Sequence, residues 1–154
     1  LPEAVIRLGQ ACLRVADLMF TRRASAQTVF TEEVEEILLD SELPVESNIE
    51  IPGRFGKPVR VDSLVHGPKA RSAIMGLSSG NPSSAHTQAN EIFRRWYDLE
   101  NGKQHQNGKA PDQRVTIFDD RINVYKDEDL ERLKELSILL SFSDRPAIRD
   151  VLAA

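Results

Sequence analysis

Val59–Ser79, VRVDSLVHGPKARSAIMGLSS, reads as two neighbouring strands joined by a tight turn. Val59, Val61 and Val65 recur at the two-residue period of a strand, and Ala73–Leu77 is an apolar body with polar residues on either side. Asp62 stands in the middle of the first strand. A charge there is costly to bury unless something pairs with it or uses it.

Upstream, PVESNIEI is a further strand, and PGRFGKP turns it back onto Val59–Val65. This hairpin places Ile51 opposite Val59, Ile49 opposite Val61, Ser47 opposite Ser63 and Val45 opposite Val65. The apolar residues of both strands then share one face, with Glu50 opposite Arg60 and Asn48 opposite Asp62 on the other.

Helices precede the hairpin. PEAVIRLGQACLRVADLMF carries Val5, Leu8, Cys12, Val15 and Met19 on one stripe, and TEEVEEILLD follows with Thr31 as N-cap and Val34, Ile37 and Leu38 as its buried edge. Downstream, Asn81 caps a helix with Pro82 in its first turn, and Ala85, Ala89, Ile92, Phe93 and Trp96 face the sheet. NGKQHQNGKAPDQ is a polar loop. QRVTIFDD is a fourth strand and RINVYK a candidate fifth. DEDLERLKELSILLSF is a helix capped by Asp127, with Leu140 on its buried stripe, and SDRPAIRDVLAA is a last helix capped by Ser143. The fold class is α/β: a mixed central sheet of four or five strands flanked by helices, in the order α-α-β-β-β-α-β-(β)-α-α.

The chain of 154 residues has the size of one domain, spanning residues 1–154. Without an initiator Met it is expected to be a piece of a longer parent protein. Its single cysteine favours a reducing, cytoplasmic setting and leaves no disulfide within one chain. No apolar run approaches the roughly 18 residues of a membrane span, so no membrane partner is expected. Charge is uneven: residues 1–52 carry 4 Lys/Arg against 10 Asp/Glu, 53–126 carry 12 against 7, and 127–154 carry 4 against 7. A basic middle between acidic ends suits a surface that faces phosphates.

Helix, three-stranded meander, helix, strand resembles the core order of the PD-(D/E)XK nucleases, the restriction-endonuclease-like fold. The resemblance implies an acid on the second strand, where Asp62 falls, and an acid and a lysine two apart on the third. Paired carboxylates would hold Mg²⁺, which polarises the scissile phosphate and activates water. Glu33 or Glu36 of the first helical layer would be an accessory acid. The third strand departs from the pattern, with Gly76 at the acid and Ser78 at the lysine. The segments around Val59–Ser79 and Phe93–Asp98 (FRRWYD) also resemble an uncharacterised bacterial family of domains of unknown function, which implies a nuclease-like fold and a setting among phage, plasmid or defence genes.

Three functions follow as expectations. The first is a catalytically degenerate nuclease fold that needs no cofactor and contacts the backbone of DNA or RNA, or a nucleoprotein, through Arg60, Lys69, Arg71, Arg94 and Arg95. The second is an active Mg²⁺-dependent phosphodiesterase in which Asp62 ligates the metal and Glu33, Glu36 or Glu50 completes the carboxylates. The third is a protein-interaction module of inhibitor or immunity type, whose acidic ends meet a basic protein partner or the remainder of the parent chain. His66, His86 and His105 match no metal-ligand spacing, and SSGNPSS lacks the pattern of a phosphate-binding loop.

Overall fold

The computed structural model describes residues 10–11, 14–15, 26–100 and 110–154. The helix expected over 2–20, with Cys12, lies outside them apart from residues 10–11 and 14–15, which are helical; so does the part of the polar loop that holds His105. Residues 26–39 form α1. β1 (Val45–Pro52), β2 (Pro58–His66) and β3 (Arg71–Leu77) follow, then α2 (Pro82–Glu100), β4 (Gln113–Phe118), α3 (Asp127–Leu136), β5 (Ile138–Ser141) and α4 (Arg145–Ala153). The sheet runs β1-β2-β3-β4-β5. Its first three strands are antiparallel neighbours, and β3, β4 and β5 are parallel, each joined to the next through a helix.

Both faces of the sheet are covered, so β3 reads as a nearly continuous apolar run. Ala73, Met75 and Leu77 pack with Ala89, Ile92, Trp96 and Leu133 of α2 and α3. Ile74, Val115 and Ile117 pack with Phe30, Val34 and Leu38 of α1 and with Ile148 and Leu152 of α4. Trp96 is fully buried, and its indole N–H donates to Thr116 Oγ1 at 2.8 Å. That bond locks α2 onto β4 and satisfies a donor that the core would otherwise strand.

The α/β class and its layers stand as expected, and so does the β1–β2 register: Val45–Val65, Ser47–Ser63, Ile49–Val61 and Ile51–Val59. The single apolar face does not. Ile49, Ile51, Val59 and Val61 lie in the α2 core, whereas Val45 and Val65 lie in the α1 core. The change comes at Asn48, which has φ 54° and leaves the ladder unpaired opposite Asp62. Asparagine tolerates this left-handed conformation, and one such residue resets the alternation of β1; on β2, Val61 and Leu64 share the α2 core while Val65 turns to the α1 core.

The helix ends differ too. Asn81 caps α2 as expected, its Oδ1 accepting the Ser84 N–H at 2.9 Å. Thr31 lies inside α1 and donates to the Gln27 carbonyl at 2.9 Å. Lys126 rather than Asp127 is the N-cap residue of α3, and Asp144 rather than Ser143 caps α4, accepting from the Ala147 N–H. Ser137 is extended, which ends α3 at Leu136 and frees Ile138–Ser141 to be the fifth strand; residues 121–126 form a turn and an irregular connection.

Candidate functional site

β2 and β3 pair only from Ser63–Ile74 to His66–Arg71. β3 runs on beside β4 as far as Leu77. The two strands therefore fork, and the side of β3 that β2 leaves behind needs other partners. Asp62 Oδ2 accepts the Gly76 N–H at 2.7 Å. Gln27 of α1 serves the next two groups, donating through Nε2 to the Gly76 carbonyl at 3.1 Å and accepting the Ser78 N–H at 3.2 Å. Two side chains replace the missing strand.

A cleft of about 570 Å³ opens at this fork. α1 lines it with Gln27, Thr28, Thr31 and Glu32, and the strands with Asn48, Arg60, Asp62, Met75 and Gly76. α2 closes it with Gln88, Glu91, Ile92 and Arg95. Arg95 is ion-paired with Glu91, and Arg60 donates to Asn48 Oδ1. Burial pushes the Asp62 carboxyl above the ordinary carboxylate range, opposed by the Gly76 N–H and by the charges of Arg95 and Arg60. Gln88 Oε1 is buried with no hydrogen-bond partner.

Of the expected site residues, the cleft gathers Asp62, Arg60 and Arg95. Glu33 lines a second cleft of about 370 Å³ and pairs there with Arg121 at 2.7 Å. Glu36 is exposed on α1, and the α1 carboxylate in the cleft is Glu32. Glu50 is exposed opposite Arg60. Lys69 sits in the β2–β3 turn, and Arg71 is tied to Asp112 and to the Ala110 carbonyl. Arg71 is about 16 Å of strand away from Gly76. Arg94 is exposed, one helical step outside the cleft-lining face of α2. The expected cationic surface is thus divided between two ends of the sheet.

The third strand lacks the ligand pair of the PD-(D/E)XK pattern. Gly76 and Ser78 offer no carboxylate or amine beside Asp62, and among the described residues no group of three His, Cys, Asp or Glu is placed to hold a metal ion. His66 bonds Glu46 and His86 bonds the buried Asp129.

The second cleft spends its polar groups internally. Asp119 accepts from Arg121 Nε at 2.7 Å and from Ser78 Oγ at 3.2 Å. Burial would raise the Asp119 carboxyl, but Arg121 and Ser78 outweigh it and hold it below the ordinary value. Burial pushes Tyr125 up to about 12, with Asp119 adding to the rise. The Tyr125 hydroxyl donates to the Leu77 carbonyl and accepts the Ser79 N–H. SSGNPSS is a strand-to-helix turn in which the Ser78, Ser79 and Ser84 amides and the Ser78 and Ser79 hydroxyls are already bonded.

Missing from the sequence reading were Gln27, Glu32, Gln88 and a cleft role for Glu91. Gln27, Thr28, Thr31, Glu32 and Glu35 form the helical stripe that flanks buried Phe30, Val34 and Leu38. The spacing was a usable signal. Which flank faces the fork depends on how α1 crosses the sheet.

No protein-family model matches the chain, and no curated protein matches it. Among the described residues no helix is long and apolar enough to cross a membrane. Among solved structures, the crystallised protein of unknown function AF1548 is similar in fold, with a TM-score of 0.50 at 14% identity. The likeness covers 74% of this chain and 58% of that one, so this chain spans less than two thirds of that protein's length. At this identity the shared property is the arrangement of the sheet and its helices.

Proposed function

We propose that this chain is a nuclease-fold module that holds nucleic acid at the β2–β3 fork without hydrolysing it. The observation that carries the reading is the Asp62–Gly76 bond. The acid on the second strand spends an oxygen on the backbone of the residue where the nuclease pattern places its second carboxylate. The element order α-β-β-β-α-β supports the scaffold. Exposed Arg60 at the rim and half-buried Arg95 within supply cations for the sugar–phosphate backbone, which fixes position without reading sequence.

The test is binding of labelled single-stranded and duplex DNA by anisotropy, with about 50 mM salt in the buffer because backbone contacts weaken steeply as salt rises. Binding is expected, and an Arg60→Ala/Arg95→Ala double variant is expected to weaken it by about tenfold or more. The same samples are incubated with Mg²⁺ or Mn²⁺, and no cleavage is expected. Absence of binding would leave the protein-interaction reading in its place. Cleavage that disappears in Asp62→Asn would show an active metal site in which Glu32 and Glu91, the other carboxylates of the cleft, are the residues to change next.

A further inference from the structure

We infer that the cleft recognises a nucleobase that carries an exocyclic amino group, and that Gln88 reads it; this rests on the nucleic-acid reading above. The interior is poorly suited to phosphate alone. Three carboxylates, Glu32, Asp62 and Glu91, line it against two guanidiniums, and Arg95 is already paired with Glu91. Such a lining is rich in acceptors, and its positive charge is confined to Arg60 at the rim and the Glu91-paired Arg95 within. It favours a polar group that donates hydrogen bonds.

Gln88 identifies where that donor is needed. Its side chain lines the cleft, and its Oε1 is buried without a hydrogen-bond partner among the described residues. A buried amide oxygen without a partner is unfavourable, and natural structures hold few of them. The terminal torsion of glutamine is roughly two-fold, so a half-turn about it exchanges Oε1 with Nε2 and frees the oxygen for a donor brought by a ligand. A glutamine facing a base pairs with an amino group, bidentately with adenine N6 and N7 in the best case. Met75 and Ile92 line the cleft as apolar surfaces against which a flat ring can lie, and about 570 Å³ is room for a nucleoside. Amides pair with adenine and carboxylates with the amino group of cytosine, whereas guanine is met by Arg or Lys at its O6 and N7, so the ligand is an adenine or cytosine presented unpaired, with its phosphates toward Arg60.

The proposal is tested with short single-stranded oligomers of dA, dI, dC and dU, where hypoxanthine and uracil replace the amino group by a carbonyl. Wild type is expected to bind dA or dC about tenfold more tightly than its partner, and the pair that discriminates tells adenine from cytosine. Gln88→Leu is expected to equalise the two while remaining folded, with a melting temperature no lower than wild type, because it removes the unpaired oxygen. Gln88→Glu, which keeps an acceptor, is expected to retain the preference. Equal binding of all four by wild type would overturn the inference and leave the backbone reading standing. Discrimination that survives Gln88→Leu would overturn the role of Gln88. If wild type binds none of them, both readings fall.

Discussion

The carboxylate of Asp62 and the amide of Gly76 meet at 2.7 Å across the gap where β2 leaves β3. In an unbroken sheet the amide of Gly76 would be satisfied by the neighbouring strand. Here an acid does that task, and the acid is raised toward its neutral form by the burial the task requires. Stability and any chemistry at the fork are therefore linked through one proton.

The linkage has a sign. Because folding raises the Asp62 carboxyl above its ordinary value of 3.8, the folded chain binds the proton more readily than the unfolded one. Its contribution is fully present below about pH 4 and declines as pH rises through the folded value. Asp62→Asn keeps an oxygen for Gly76 and removes the titration. Denaturation across this range is expected to show wild type losing ground to Asp62→Asn as pH rises. Asp62→Ala leaves the amide unpaired and is expected to cost about 1–3 kcal/mol.

Asp119 titrates the other way. Held below 3.8 by Arg121 and Ser78, it contributes stability above the ordinary carboxyl value that is lost as pH falls through its folded value. Asp119→Asn is expected to destabilise the protein at neutral pH by about 1–2 kcal/mol, the half-exposed Arg121 limiting the effect. The gap from wild type should close in acid. The two aspartates thus impose opposite slopes on the same unfolding curve.

Gln27 holds two backbone groups of β3 with one amide. Gln27→Leu is expected to lower stability by about 1–3 kcal/mol. Hydrogen exchange localises the loss: the Ser78 amide should exchange faster, while Val115 and Ile117, paired on the far side of β3, keep their protection.

Gly76 is boxed in. A Cβ added there would lie 3.2 Å from two ring atoms of Phe30 and 3.6 Å from Asp62 Oδ2. Phe30 is 1% exposed and has little freedom to swing away. Gly76→Ala is expected to cost about 1–3 kcal/mol through overpacking. Phe30→Leu in the same chain should recover part of it, which a double-mutant cycle measures.

Much of this architecture was legible in the sequence. Proline and glycine around Arg54–Gly56 fixed the hairpin register residue by residue, and the Asn81-Pro82 pair marked the start of α2. The departures have local causes. At Asn48 a single left-handed residue turns the alternation of β1 over, and side-chain pattern is blind to one backbone angle. Ile138–Ser141 is a short apolar run that periodicity assigns to helix or strand with equal ease, and the extended Ser137 decides it.

The site was legible only in part. Asp62 was singled out because a strand seldom carries a charge at its centre. Glu33 was favoured over Glu32 although the two differ only in which side of α1 they occupy, and the crossing of α1 over the sheet settles that. Arg60 and Arg71 look equivalent as strand cations, but the length of β3 carries them to different ends of the molecule.

The spatial succession of the five strands is the same as their succession along the chain. Each strand after the first, as it leaves the ribosome, finds a docking partner already synthesised, and none has to be inserted between two that have closed. The exception is the layer formed by α4, which packs beside α1 and reaches it only after all five strands have been made. Assembly strand by strand in chain order is open to this sheet, but the face that carries Phe30 waits for α4 to seal it.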